Sequence, residues 1–178
     1  MKAFLTGVAL TLACLAGGTY FYFARGFAPV ATAAPAMPFE KKLARLALHA
    51  RLEKEMPRTV PIEATEAHYL AGAQAYLDHC AVCHGLPGRP ETAIARGEFP
   101  RPPQLFEGKG VTDDPPGETY WKTANGIRLT GMPGFEASLP QARIWEIALL
   151  LANADKLPDS VTALLKAQPT PGTPPSEK

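Results

Sequence analysis

The chain has 178 residues, of which 46% are apolar and 20% charged, with 19 Pro, 15 Gly and a formal net charge of +1. That length holds one domain of ordinary size with appendages and excludes a multidomain enzyme, while the proline and glycine content assigns part of the chain to linker or tail. The near-neutral charge argues against a dedicated nucleic-acid binder, but it conceals a split, with +5 on residues 1–61, −5 on residues 62–155 and +1 on residues 156–178.

Ala3 to Ala24 carries no charged side chain, and 22 residues at ~1.5 Å each give ~33 Å of helix, enough to cross a bilayer core. A cleaved signal peptide is the alternative, with Lys2 as its basic start and Ala31-Thr32-Ala33 as a processing site. The apolar stretch exceeds the ~7–15 residues of a signal sequence. It also ends in Tyr20-Phe21-Tyr22-Phe23, an aromatic edge suited to a membrane interface. Residues 1–25 therefore read as an uncleaved anchor, and Cys14 within them as a small apolar helix residue. Gly26 to Pro38, with prolines at 29, 35 and 38, reads as a linker. A basic amphipathic helix is expected over 39–56, with Leu43, Leu46, Ala47 and Ala50 on one face and Pro57 ending it. It suits either an anionic membrane surface or the flank of the following domain. Linker and helix make up residues 26–61.

Thr65 is a candidate N-cap for a helix over 66–79. That helix leads into Cys80-Ala81-Val82-Cys83-His84, a Cys-x-x-Cys-His motif whose two thiols suit thioether bonds to the vinyl groups of haem while the adjacent imidazole reaches the iron. A zinc site needs a fourth ligand, and no Cys or His follows His84. A thioredoxin-like dithiol would follow a strand, whereas here a helix precedes the motif. The sixth iron position follows by elimination. Of the methionines at 1, 37, 56 and 132, only Met132 lies beyond the motif, in the loop-forming stretch Thr130-Gly131-Met132-Pro133-Gly134-Phe135. His/Met ligation fills both axial positions and suits electron transfer.

With these residues on the page, 62–155 resembles a class I monohaem cytochrome c domain of the membrane-anchored bacterial type. Gly72 and Tyr76 stand ahead of the first cysteine as in that family. A last helix over 139–153, opened by a Ser138/Gln141 capping box and carrying Trp145, Ile147 and Leu150, fits it too. Asn125-Gly126-Ile127-Arg128 before the Met132 loop is also similar to small anchored bacterial cytochromes c. The resemblance implies an all-α fold whose first and last helices cross near Gly72. It also implies a proline carbonyl orienting His84, from either Pro102 or Pro103. Attachment of haem on the outer side of the bacterial inner membrane would put the chain N-terminus in, single-pass, with the haem domain in the periplasm.

The residue pattern agrees with an all-α domain. Helices over 66–79, near Glu118–Ala124 and over 139–153 are joined by Gly/Pro-rich loops, with no alternation for a sheet. Fewer than a hundred residues make a marginal core, so one covalent haem c is expected to complete it. Trp121 and Trp145 read as core or pocket packing, and Arg128, Lys122 and Arg101 as candidates to pair the propionates. Residues 156–178 read as a Pro-rich tail with one short helix near Val161, Leu164 and Leu165, then disorder. The expected function is electron transfer between redox donor and acceptor proteins, as a membrane-anchored carrier or the haem subunit of an oxidoreductase complex, and not catalysis. A haem peroxidase or gas-binding sensor with a displaceable distal ligand is the alternative.

Overall fold

The computed structural model describes residues 1–169, and the expected disorder of the last prolines, Pro171, Pro174 and Pro175, lies outside them. The chain divides into two compact units, one of residues 1–44 and one beginning at Arg45. In the first, α1 (Lys2–Ala24) is an apolar helix of 23 residues with mean hydropathy 1.6, long enough to cross a membrane. Its end gathers Phe21, Tyr22, Phe23 and Phe27 in ring contacts, with the Arg25 guanidinium 5.3 Å from the centre of the Phe21 ring. α2 (Glu40–Glu55) begins where the Met37 amide donates to Glu40 Oε2 at 2.7 Å.

The second unit holds the rest of α2 and six further helices: α3 (Glu66–His79), α4 (Ala81–His84), α5 (Ala93–Gly97), α6 (Pro116–Asn125), α7 (Gln141–Ala152) and α8 (Asp159–Ala167). Among the described residues there is no strand. α3 starts at the expected N-cap, the Thr65 hydroxyl accepting from the His68 amide at 3.3 Å. α6 opens on Pro115-Pro116 and stops at Gly126, whose φ of +68° favours a residue without a Cβ. α7 begins later than expected, and the Ser138/Gln141 box does not form. Pro140 takes the N-cap position, which leaves Gln141 in the first helical position, too early to reach back, and the Ser138 hydroxyl donates instead to the Phe135 carbonyl.

α3 and α7 cross at Gly72, where any Cβ would run into the Glu146 carbonyl. This approach brings Ala73 and Tyr76 of α3 together with Ile147 and Leu150 of α7 in the core. The last-turn region contributes more than a tail. α8 packs on α3 and adds Val161 and Leu165, both fully buried, to the same core. α6 lies on α7 through the stacked rings of Tyr120 and Trp145, 4.2 Å apart. Residues ahead of α3 also join this unit: Leu52 is buried, the Trp121 indole N–H donates to Glu55 Oε2 at 3.2 Å, and Gly117 leaves room for the Pro57 carbonyl.

Candidate functional site

Cys80, Cys83, His84 and Met132 line one cleft of about 1050 Å³, counted to its open mouth. Its walls are apolar, with Leu105, Val111, Ile127, Phe135, Ile147 and Leu151 among them. The two thiols come from one short turn because α3 ends at Cys80 and α4 restarts at Ala81, the Cys80 carbonyl accepting from the Cys83 and His84 amides at 3.1 and 2.9 Å. Neither cysteine is part of a disulfide. Burial, reinforced by the neighbouring thiol, pushes Cys80 up to about 12, while burial and the Glu98 carboxylate push Cys83 up to about 11. Cys83 donates to Glu98 Oε1 at 3.1 Å.

His84 is held by its Nδ1, which lies 2.9 Å from the Pro103 carbonyl. Pro103 is thus the proline, of the two open in the sequence, that orients the ring. A carbonyl can only accept, so Nδ1 carries the proton and Nε2 keeps its lone pair for a metal. Burial lowers the pKa of the ring against the opposing pull of the Pro103 carbonyl and Glu98, which favours the neutral, ligating form. The turn behind it is fastened at several points. Leu105 N donates to the His84 carbonyl at 3.3 Å, Tyr76 Oη to the Gly85 carbonyl at 2.8 Å, and Gln104 Nε2 to the Cys83 carbonyl at 3.2 Å. The buried Thr92 caps α5 and donates to the Val82 carbonyl at 2.6 Å.

Met132 arrives from a loop that closes on the end of α6. Phe135 N and Glu136 N donate to the Thr123 and Ala124 carbonyls at 3.0 and 3.1 Å. Of the three expected cations, Lys122 and Arg101 line the cleft, each with a carboxylate partner, Glu118 at 2.5 Å and Glu91 at 3.7 Å. Arg128 is exposed and is not among the lining residues. Neither tryptophan lines the cleft: Trp145 is core, and Trp121 faces Glu55.

A planar apolar macrocycle with an iron at its centre fits these residues. The walls are largely apolar, two thiols stand three residues apart on one turn, and a neutral imidazole and a thioether supply nitrogen and sulfur donors of the kind iron accepts. Among the described residues there is no cluster of three His, Cys, Asp or Glu able to hold a bare metal ion.

Glu98, Gln104, Thr92 and Thr130 escaped the sequence reading. Thr92 has the one local signal, an N-cap position three residues before Ala95. The others act across the chain or inside a loop without periodicity.

Residues 67–151 match the family described as cytochrome c oxidase, cbb3-type, subunit III. No curated protein matches the sequence. Among solved structures, a chain of the Kuenenia stuttgartiensis reducing HAO-like protein complex is 26% identical, over 58% of this chain and 53% of that one, with a TM-score of 0.46. This chain thus spans about half the length of that protein.

Proposed function

We propose that this chain, which belongs through residues 67–151 to the c-type cytochromes, carries one haem c bound covalently through Cys80 and Cys83, with His84 and Met132 as axial ligands, and passes electrons between redox proteins without acting as an enzyme. The observation that carries the reading is the convergence of these four side chains on one apolar cleft. Bound there, haem supplies an iron that changes between ferrous and ferric states. The chain's own residues do the rest. His84 is oriented by Pro103, and the hydrogen bonds of Gln104 and Thr92 keep the cysteine turn in register with the cleft. Lys122 and Arg101 are the cations placed to meet the two propionate carboxylates. With haem bound, the Met132 thioether would hold the second open position of the iron and would exclude exogenous ligands, which separates this reading from a peroxidase or gas sensor.

The length and apolar composition of α1 support a single membrane span; the proposal sets that span in the bacterial inner membrane, with the haem domain in the periplasm. The family description names an oxidase subunit, which favours the haem subunit of a larger complex over a free carrier. In domain terms the proposal assigns residues 1–25 to the anchor, 26–61 to linker and basic helix, and 62–155 together with α8 to the haem domain, with the tail following α8.

The test uses the full chain purified from membranes. A reduced-minus-oxidised spectrum should show a c-type haem that stays with the polypeptide through acid extraction. Met132→Ala should abolish the weak ferric charge-transfer band at the red end of the spectrum, lower the potential and admit carbon monoxide. Haem lost to acid refutes covalent attachment, and an unchanged Met132→Ala spectrum removes Met132 from the iron.

A further inference from the structure

We propose that the hydroxyl of Thr130 is a positioning group that sets the Met132 thioether over the cleft; the proposal rests on the reading of Met132 as the distal ligand. The loop between Gly126 and Glu136 is fastened at its base by backbone alone. Phe135 N and Glu136 N bond to α6 carbonyls, and the two legs of the loop touch so closely that a Cβ on Gly126 would lie 2.5 Å from Gly134 N and 2.8 Å from the Met132 carbonyl oxygen. The tip is held differently. Thr130 Oγ1 donates to the Ile127 carbonyl at 2.7 Å and accepts from the Met132 amide at 3.1 Å. Thr130 N donates to the same Ile127 carbonyl at 3.2 Å, and Ile127 N returns a bond to the Met132 carbonyl at 3.2 Å. Three residues thus close a ring of four hydrogen bonds, and one hydroxyl makes two of them.

Apart from the Glu98 carboxylate, against which Gly131 lies, no packing substitutes for that hydroxyl. Leu129 beside it is 92% exposed and has φ of +61°, a left-handed conformation that a branched side chain adopts only when its surroundings impose it. The side chain of Leu129 adds nothing to the core, and its backbone relaxes if the ring opens. Gly131 is exposed as well. Without the hydroxyl, the Met132 amide loses its acceptor and the Ile127 carbonyl loses one of two donors. The loop then keeps its base and loses the orientation of its ligand.

The experiment compares Thr130→Val, Thr130→Ser and Met132→Ala in the full-length haem-loaded protein. Valine keeps the shape and removes both bonds, while serine keeps both. Exchange of the Met132 amide is expected to run about tenfold faster in Thr130→Val, the size of effect a lost hydrogen bond gives, and to stay near the parent rate in Thr130→Ser. The ferric charge-transfer band should weaken in Thr130→Val, and carbon monoxide association should rise about tenfold, as the detached-loop population rises. Thr130→Ala, which adds no bulk, should repeat the valine result. Should Thr130→Val keep parent-like exchange, band and carbon monoxide binding while Met132→Ala loses the band, the positioning role is overturned and the ligation stands. A Thr130→Val variant that only melts earlier, or a Thr130→Ser variant that behaves like valine, also overturns it. If Met132→Ala itself leaves the band intact, the ligation reading fails first.

Discussion

Replacing Gly72 by alanine is expected to destabilise the haem domain even though it places the best helix former in the middle of a helix. Propensity alone favours alanine by ~1 kcal/mol. Against it stands the crossing with α7. The new Cβ would lie 2.7 Å from the Glu146 carbonyl carbon and 3.2 Å from Ile147 N, both backbone atoms, where ordinary contact begins at 3.4 Å. The Glu146 carbonyl oxygen is closer still; backbone cannot rotate aside, so α3 and α7 must part by roughly 1 Å, and a gap of that size forfeits about half of each pairwise dispersion well. Tyr76, Ala73, Ile147 and Leu150 sit at this contact with exposures of 0–1%. Overpacking of this kind costs ~1–3 kcal/mol; separating two whole helices takes the upper end, leaving ~2 kcal/mol net after the propensity gain. For a unit of this size that is a fall in Tm of ~8 °C. Thermal unfolding of the haem-loaded chain, followed by helix signal and by haem absorption together, measures it. Gly72→Val should fall further, since it adds bulk and loses propensity. A Tm for Gly72→Ala equal to or above the parent would show that propensity wins and that the crossing yields at little cost.

Gly117→Ala should force the Pro57 carbonyl off α6, so that proteolysis after Arg58 quickens and the Trp121 fluorescence changes while haem absorption does not; unchanged cleavage would count against this contact. Asp114 has its pKa raised by burial and by Glu118 and Asp113, against Lys122 and His49. Its folded form therefore holds a proton more tightly than its unfolded form, and its contribution to stability falls as pH rises through the carboxylate range. Asp114→Asn should raise Tm at pH 7 and lose that advantage below about pH 3.5, and a lower Tm at pH 7 would refute the sign. The −5 charge of residues 62–155 should speed electron exchange with a basic partner ~10–1000-fold at low salt, the gain fading as the Debye length shortens to ~8–10 Å; a rate flat in salt, or rising with it, rejects an attractive acidic face.

What was legible in the sequence has a physical pattern. α3 could be placed to the residue because three local signals coincide there: the Thr65 cap, the helical spacing of Tyr69, Gly72, Ala73 and Tyr76, and the cysteine turn that ends it. Gly72 could be assigned to the helix crossing only through the family resemblance, since helical spacing by itself does not say which helix a glycine admits. The presence of Met132 in the cleft could be expected from a count of methionines and the loop-forming residues around it. α4 and α5 were not legible, since four and five residues are too few to show a period. The start of α7 was misread because Pro140 and a Ser/Gln pair offer competing caps, and only the turn at Phe135 decides between them.

The fastening of the site was hidden for a different reason. Gln104 reaches the Cys83 carbonyl across 21 residues, Thr92 reaches Val82 across 10, and His84 finds Pro103 rather than Pro102 across 19. Each bond joins a side chain to a backbone group, and backbone groups are the same at every position. A sequence announces which residues can bond or ligate, because thiol, imidazole and thioether are rare, but it does not announce which carbonyl will stand within 3 Å of them. That choice is made by packing. Tyr76, in the core between α3 and α7, packs edge-on against Phe106 at 5.2 Å and donates to the Gly85 carbonyl, which ties that core both to the segment carrying Pro103 and to the residue after His84. The His84 ring is consequently oriented by the same close packing that keeps α3 against α7. Loosening the crossing at Gly72 should then reach the ligand as well as the Tm.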